Sequence, residues 1–243
     1  MSRSLAGAVA AIVGASGGLG TPIARQLADR GAQLVLAGPH VDRLSALDID
    51  GAVAIELDVR DPHAGDALAA LAMERFGRLD GLVNAAGVVA FGALVDTDDT
   101  VIEELFLTNA IGPLWLIKRI VPLLVESRGF IVNLSAVVAE HPMANMAPYS
   151  ATKAALTAAD TALGRELRRA GIQVCDVRPP HTETGLAQRP LAGSAPALPA
   201  GLAPELVATL VVDAIVMGST ALPSRSFAPD ATSSPGPASP VSR

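Results

Sequence analysis

The chain has 243 residues, half of them hydrophobic, with a formal net charge of −6 and an aromatic content of only 3%. That length suits one α/β domain with a core of aliphatic and small side chains. The acidic balance and the lack of any basic block give no reason to expect a nucleic-acid partner.

In chain order, the apolar stretch after Arg3 has two readings. It resembles a short signal peptide, and it also reads as a first buried strand. The strand is favoured, because cleavage there would destroy the glycine turn that follows. Short apolar runs at 9–13, 33–37, 52–57, 81–84, 130–134 and 172–177 are continuous rather than alternating, as in strands buried on both faces. Helical spacing fills 19–30, 62–76, 100–125 and 148–170 between them, with Gly31 and Gly171 placed as helix C-caps. Pro122 is expected to kink or end the third helix. The β-α-β-α rhythm predicts a single-domain, doubly wound parallel sheet with helices on both faces.

After the sixth run, 186–204 reads as a long loop, functional or mobile, and 202–217 as a helix. Residues 228–243, rich in Pro and Ser, read as a disordered tail, leaving 1–227 as the domain. No internal repeat is seen. No run reaches ~18 uninterrupted apolar residues, so no membrane span is expected. The single cysteine, Cys175, lies in the sixth run and reads as an inert core thiol. The lack of an internal disulfide fits a cytoplasmic protein.

Gly14, Ser16, Gly17, Gly18, Leu19 and Gly20 belong to a turn between the first strand and the first helix. Such a turn lets the backbone and a helix N-terminus approach a pyrophosphate, although it also serves as a mere tight connection. The second strand ends at Ala37-Gly38-Pro39 without the acid that would bind a ribose 2′-hydroxyl. A 2′-phosphate would therefore not be repelled, which tilts the expectation toward NADP over NAD. His40 and Arg43 read either as phosphate contacts or as ordinary surface residues.

Tyr149 is the only tyrosine, and Lys153, one of two lysines, lies one helical turn beyond it. A nearby ammonium would lower the phenol from its ordinary value near ~10, poising it for proton exchange with an alcohol or carbonyl. The bland alternative is a half-buried Tyr beside a surface Lys. The other lysine, Lys118, reads as a solvated helix residue.

Together, the glycine turn and the Tyr-x3-Lys pair resemble the classical short-chain dehydrogenase/reductase family over about residues 6–190. Further residues carry the resemblance: Asp58-Val59 after the third strand, Asn84-Ala85-Ala86-Gly87 after the fourth, Asn109 in mid-helix, and Ser135 fourteen residues before Tyr149. The resemblance implies a Rossmann-type fold and reversible hydride transfer between NADP or NAD and an alcohol or carbonyl. Asn109, Ser135, Tyr149 and Lys153 would be catalytic. Ser135 would hydrogen-bond the substrate oxygen, and Asn109 would support a water-linked relay to Lys153. The cofactor would lie on Gly14, Ser16, Gly17, Gly18, Leu19, Gly20, Asp58, Val59, Asn84, Ala85, Ala86, Gly87, Tyr149, Lys153, Pro179 and Thr182, with Thr184 a further candidate. No metal is implied, and a homodimer or homotetramer is.

The sequence departs from the family at Val13, at Pro180 in place of a glycine, and near 221–227, where the usual last strand is not evident. Val88, Ala90, Val137, His141, Met143, His181 and the 186–204 loop outline an apolar substrate cleft. An epimerase or dehydratase on the same scaffold, or a non-catalytic dinucleotide-binding regulator, are the alternative readings.

Overall fold

The computed structural model describes residues 2–228. Apart from Ala228, the expected Pro/Ser-rich tail lies outside the described residues. The strands are β1 (Val9–Val13), β2 (Gln33–Gly38), β3 (Val53–Glu56), β4 (Gly81–Asn84), β5 (Phe130–Leu134), β6 (Gln173–Val177) and β7 (Ala221–Leu222). The helices are α1 (Gly20–Asp29), α2 (Val41–Ser45), α3 (Ala64–Phe76), α4 (Asp99–Phe106), α5 (Gly112–Ser127), α6 (Ala147–Glu166) and α7 (Pro204–Met217).

All seven strands pair in parallel, in the order β3-β2-β1-β4-β5-β6-β7. Alternate residues of the strands feed two separate apolar layers, which is why the strands are mainly apolar rather than alternating. On one face Ile12, Leu34, Val132 and Cys175 pack with Ile23 and Leu27 of α1 and Val211 and Ile215 of α7. On the other, Val35, Leu82, Ile131 and Val174 pack with Leu68 of α3 and Leu116 and Ile120 of α5. Chain order reverses between β1 and β4, and ligands of such sheets bind at the carboxyl ends of the strands flanking that reversal.

Two local expectations need correction. The helix does not end at Pro122, which sits inside α5. The carbonyl that its missing N–H leaves free belongs to Lys118, on the exposed face. The irregularity lies earlier, where Leu107–Ile111 forms a wider turn in which Gly112 N–H reaches the Leu107 carbonyl. A last strand also exists: β7 is two residues long and pairs Ala221 with Asp176 and Leu222 with Val177. Such a brief strand leaves no periodicity to read. The helical run Asp99–Ser127 is, by length and composition alone, long and apolar enough to cross a membrane. Here Leu105, Leu116, Ile117, Ile120 and Leu124 are buried inside the fold.

Candidate active site

The loops leaving β1 and β4 touch at the reversal point. Gly14 has φ of +81°, and a Cβ there would lie 2.6 Å from Ala86 N, so only glycine fits. A Cβ on Gly18 would lie 2.5 Å from Thr184 Cβ. The segment after β6 therefore folds directly over the glycine turn. A cleft of about 510 Å³ opens from here across the strand ends. Gly14, Ser16, Gly17, Gly18, Leu19, Asp58, Val59, Ala85, Ala86, Gly87, Ser135, Tyr149, Lys153, Pro179, Thr182 and Thr184 all line it. A side chain on Gly87 would sit 3.6 Å from Lys153 Nζ. Its absence keeps the lysine reachable, and a floor of glycine and alanine backbone suits the close approach of a dinucleotide.

At one end of the cleft Asp58 is held by Arg60, whose guanidinium also pairs with Glu104 at 2.6 Å. The Arg60 hydrogen bonds hold the Asp58 carboxyl below its ordinary value. Neither Arg60 nor Glu104 stands out in the sequence, because they meet across 44 residues. Nearby, Arg43 Nη2 donates to the Ser16 carbonyl at 3.0 Å, which places its cation against the glycine turn.

Tyr149 and Lys153 lie one turn apart on α6, both buried, with Lys153 Nζ 5.9 Å from the Tyr149 ring centre. Lys153 Nζ donates to the Leu134 carbonyl at 2.8 Å. Burial pushes the lysine down to about 8, against the opposing pull of Asp176. Burial also pushes the phenol up to about 12. The expected lowering by a neighbouring ammonium is thus outweighed, because Tyr149 packs among Phe91, Val138 and Met146 and its anion would lose its water.

Ser135 closes β5. Its Oγ donates to the Lys153 carbonyl at 2.9 Å and lies 3.0 Å from Thr157 Oγ1. Thr157 in turn donates to Asp176 Oδ1 at 3.2 Å. Asp176 Oδ2 faces Arg178 Nε at 3.1 Å, and Arg178 pairs with Glu140 at 2.8 Å. Thr157 gave no sequence signal. Asp176 did, as an acid inside an apolar strand.

Three residues expected in the site stand behind its wall. Gly20 packs on the Gly14 carbonyl. Asn84 lies beside Asn133 in the β4–β5 register and donates to its Oδ1 at 2.6 Å, away from the cleft. Asn109 sits in the wide turn, where its Oδ1 accepts from Val88 N–H and its Nδ2 donates to the Val88 carbonyl, each at 2.9 Å. Its Nδ2 also reaches Thr152 Oγ1 at 3.2 Å. The side chain thus pins the loop after β4 rather than facing the cleft. The Thr182 hydroxyl is spent on the Pro180 carbonyl.

The far end of the cleft is apolar, formed by Val88, Val137, Met143, Met146, Leu186 and Leu198, with His181 and Arg189 at its edge. Of the expected pocket residues, Ala90 is buried in the adjoining apolar cluster and His141 is exposed outside the lining. No cluster of metal-ligating side chains occurs among the described residues.

A family model for short chain dehydrogenase matches residues 8–193. L-fucose dehydrogenase of Oryctolagus cuniculus is 37% identical over 194 residues, covering 79% of this chain and 68% of that protein. Among solved structures, 3-ketoacyl-(acyl-carrier-protein) reductase from Brucella melitensis, complexed with NADH, matches with a TM-score of 0.82 and 25% identity, over 90% of this chain and 97% of its own. A short chain dehydrogenase/reductase from Burkholderia phymatum in complex with NAD matches with a TM-score of 0.80 and 27% identity, over 90% and 89%. With the parallel sheet, the glycine turn at the reversal point and the family match over most of the described fold, the chain belongs to the short chain dehydrogenase family and is an oxidoreductase of that family.

Proposed function

We propose that this protein transfers a hydride between NADP and an apolar alcohol or carbonyl substrate, with Tyr149 moving the proton. The observation that carries the reading is the buried Tyr149–Lys153 pair on one helix face, lining the same cleft as Ser135 and the glycine turn. When bound, the nicotinamide supplies or accepts the hydride. Held near 12, the Tyr149 phenol keeps its proton at neutral pH, which is the form that gives a proton to a carbonyl oxygen. Lys153, anchored on the Leu134 carbonyl, holds a cation beside the phenol and would hold the cofactor's ribose. Ser135 donates to the substrate oxygen and stabilises its developing charge.

The apolar far wall supports an apolar substrate. Arg43 against the glycine turn, and the missing acid after β2, support NADP over NAD. Exposed Leu114 and Val125 on α5 support a homodimer or homotetramer. The lone buried cysteine fits a cytoplasmic setting.

The test is NADPH and NADH oxidation over aliphatic, steroid-like and quinone carbonyls, with Tyr149→Phe beside the wild type. Removing the proton donor costs roughly 10²–10⁴-fold in kcat. Cofactor affinity changes little, because the ring and its packing stay. Full turnover by Tyr149→Phe overturns the mechanism.

A further inference from the structure

Behind the candidate site, a row of hydrogen-bonding groups runs from Ser135 through Thr157 to Asp176. Each hydroxyl in the row has one hydrogen to give, so the state of the carboxyl at its end sets whether Thr157 donates to it or accepts from it, and thereby whether Thr157 accepts from Ser135. Ionised, Asp176 can only accept. Thr157 then spends its hydrogen on Asp176 Oδ1 and can only accept from Ser135. The Ser135 hydrogen points inward, to Thr157 or to the Lys153 carbonyl 2.9 Å away. Protonated on Oδ1, Asp176 donates to Thr157 and Thr157 donates to Ser135, so Thr157 no longer accepts and the Ser135 hydrogen is left with the Lys153 carbonyl or a substrate oxygen in the cleft. No proton is transferred along the row, since two hydroxyls only rotate.

We propose that Thr157 and Asp176 are positioning residues that set the direction of the Ser135 hydroxyl, a protonated Asp176 turning it toward the substrate oxygen. This rests on the reading that Ser135 meets that oxygen. It adds a pH-dependent control that neither Tyr149 nor Lys153 provides.

The surroundings of Asp176 decide whether a proton is available to it. The side chain is buried. From the residue just after its strand, Arg178 faces it at 3.1 Å and favours the anion. Lys153 of α6 does the same, while Glu140, beyond the turn after β5, opposes it. Asp160 of α6 and Cys175 titrate in its field. β5 and β7 contribute no ionisable side chain, and Asp213 of α7 is spent on Arg30. Burial prevails over these charges and raises the carboxyl above its ordinary value. The donating form therefore persists to higher pH than for a surface aspartate.

The test has two arms. The first is infrared titration of the protein without substrate. A buried carboxyl band is expected that is lost as pH rises, is absent in Asp176→Asn, and shifts in frequency in Thr157→Val, where its hydrogen-bond partner is gone. The second is kcat/KM against pH for NADPH-dependent reduction of menadione, or of the panel ketone reduced fastest if menadione is not. Wild type should lose roughly tenfold or more as Asp176 ionises, within the value of one oxyanion donor. That limb should vanish in Thr157→Val and in Asp176→Asn, return in Thr157→Ser, and be absent from the slow Ser135→Ala variant. At about pH 6–7, where Lys153 keeps its charge, NADPH affinity of Thr157→Val should stay within about twofold of wild type, because Thr157 does not line the cleft.

A Thr157→Val profile superimposable in shape on wild type overturns the proposal, as does the absence of an Asp176 band. If Thr157→Val does not fold, Asp176→Asn carries the same comparison. A slow Ser135→Ala with an unaltered Thr157→Val limb defeats the row alone. A fully active Ser135→Ala defeats the reading of Ser135 and the row with it.

Discussion

Arg43 is the residue on which the proposed preference for NADP rests. Its guanidinium is exposed, lines the cleft and is tethered to the Ser16 carbonyl of the glycine turn. A charge-assisted contact of this kind contributes about 1.5–3 kcal/mol. Arg43→Ala should therefore weaken NADPH roughly tenfold or more while leaving NADH almost unaffected, by fluorescence titration of each. Equal losses for both would remove the argument for NADP. Lys153 gives a second expectation. Its ammonium is present below about pH 8 and lost above it. Cofactor Kd should accordingly rise as pH passes through about 8 in the wild type and stay flat in Lys153→Met. A flat wild-type profile would show that the charge does not contribute to binding.

At the scale of elements, the wide turn Leu107–Ile111 is what joins α4 to α5 in one continuous run. It carries Asn109, whose amide grips Val88 on the loop leaving β4. Gly112 makes the turn possible, since a Cβ there would collide with the Val59 carbonyl and lie 2.9 Å from the Leu107 carbonyl. Both obstacles are backbone and cannot swing aside. Gly112→Ala should cost on the order of 2 kcal/mol. Its Tm should fall by roughly 4–8 °C for a chain of this size. Because Val59 lines the cleft, cofactor affinity should fall with it. A Tm equal to wild type would mean that the turn relaxes without strain.

For the whole molecule, the buried polar row under α6 makes stability depend on pH. Asn133 donates to Asp160, whose second oxygen has no partner, and burial pushes the carboxyl up to about 8. The folded chain thus keeps a proton that the unfolded chain releases near its ordinary 3.8. The stabilisation is complete below about pH 4 and is lost progressively as pH rises to about 8, where the folded form ionises as well. Asp160→Asn keeps the acceptor for Asn133 and removes the titration. It should melt close to wild type at about pH 4 and at a clearly higher temperature than wild type at about pH 8. A gap that does not widen with pH would overturn this, and calorimetry at the two pH values decides it.

Features written in local periodicity were legible in the sequence. Strands buried on both faces appear as mainly apolar runs without alternation, and the bounds of β1, β4 and β5 follow residue for residue. Tyr149 and Lys153 share a helix face because their spacing is one turn, and the glycine turn is read from residues adjacent in the chain. What only the tertiary structure decided depends on groups far apart in sequence. Burial among the Phe91, Val138 and Met146 side chains reversed the expected shift of the Tyr149 phenol. The β4–β5 register turned Asn84 toward Asn133, and packing of α6 on β6 joined Ser135 to Asp176 through Thr157. Desolvation and strand register are sums over the whole fold, and no local window of the sequence contains them.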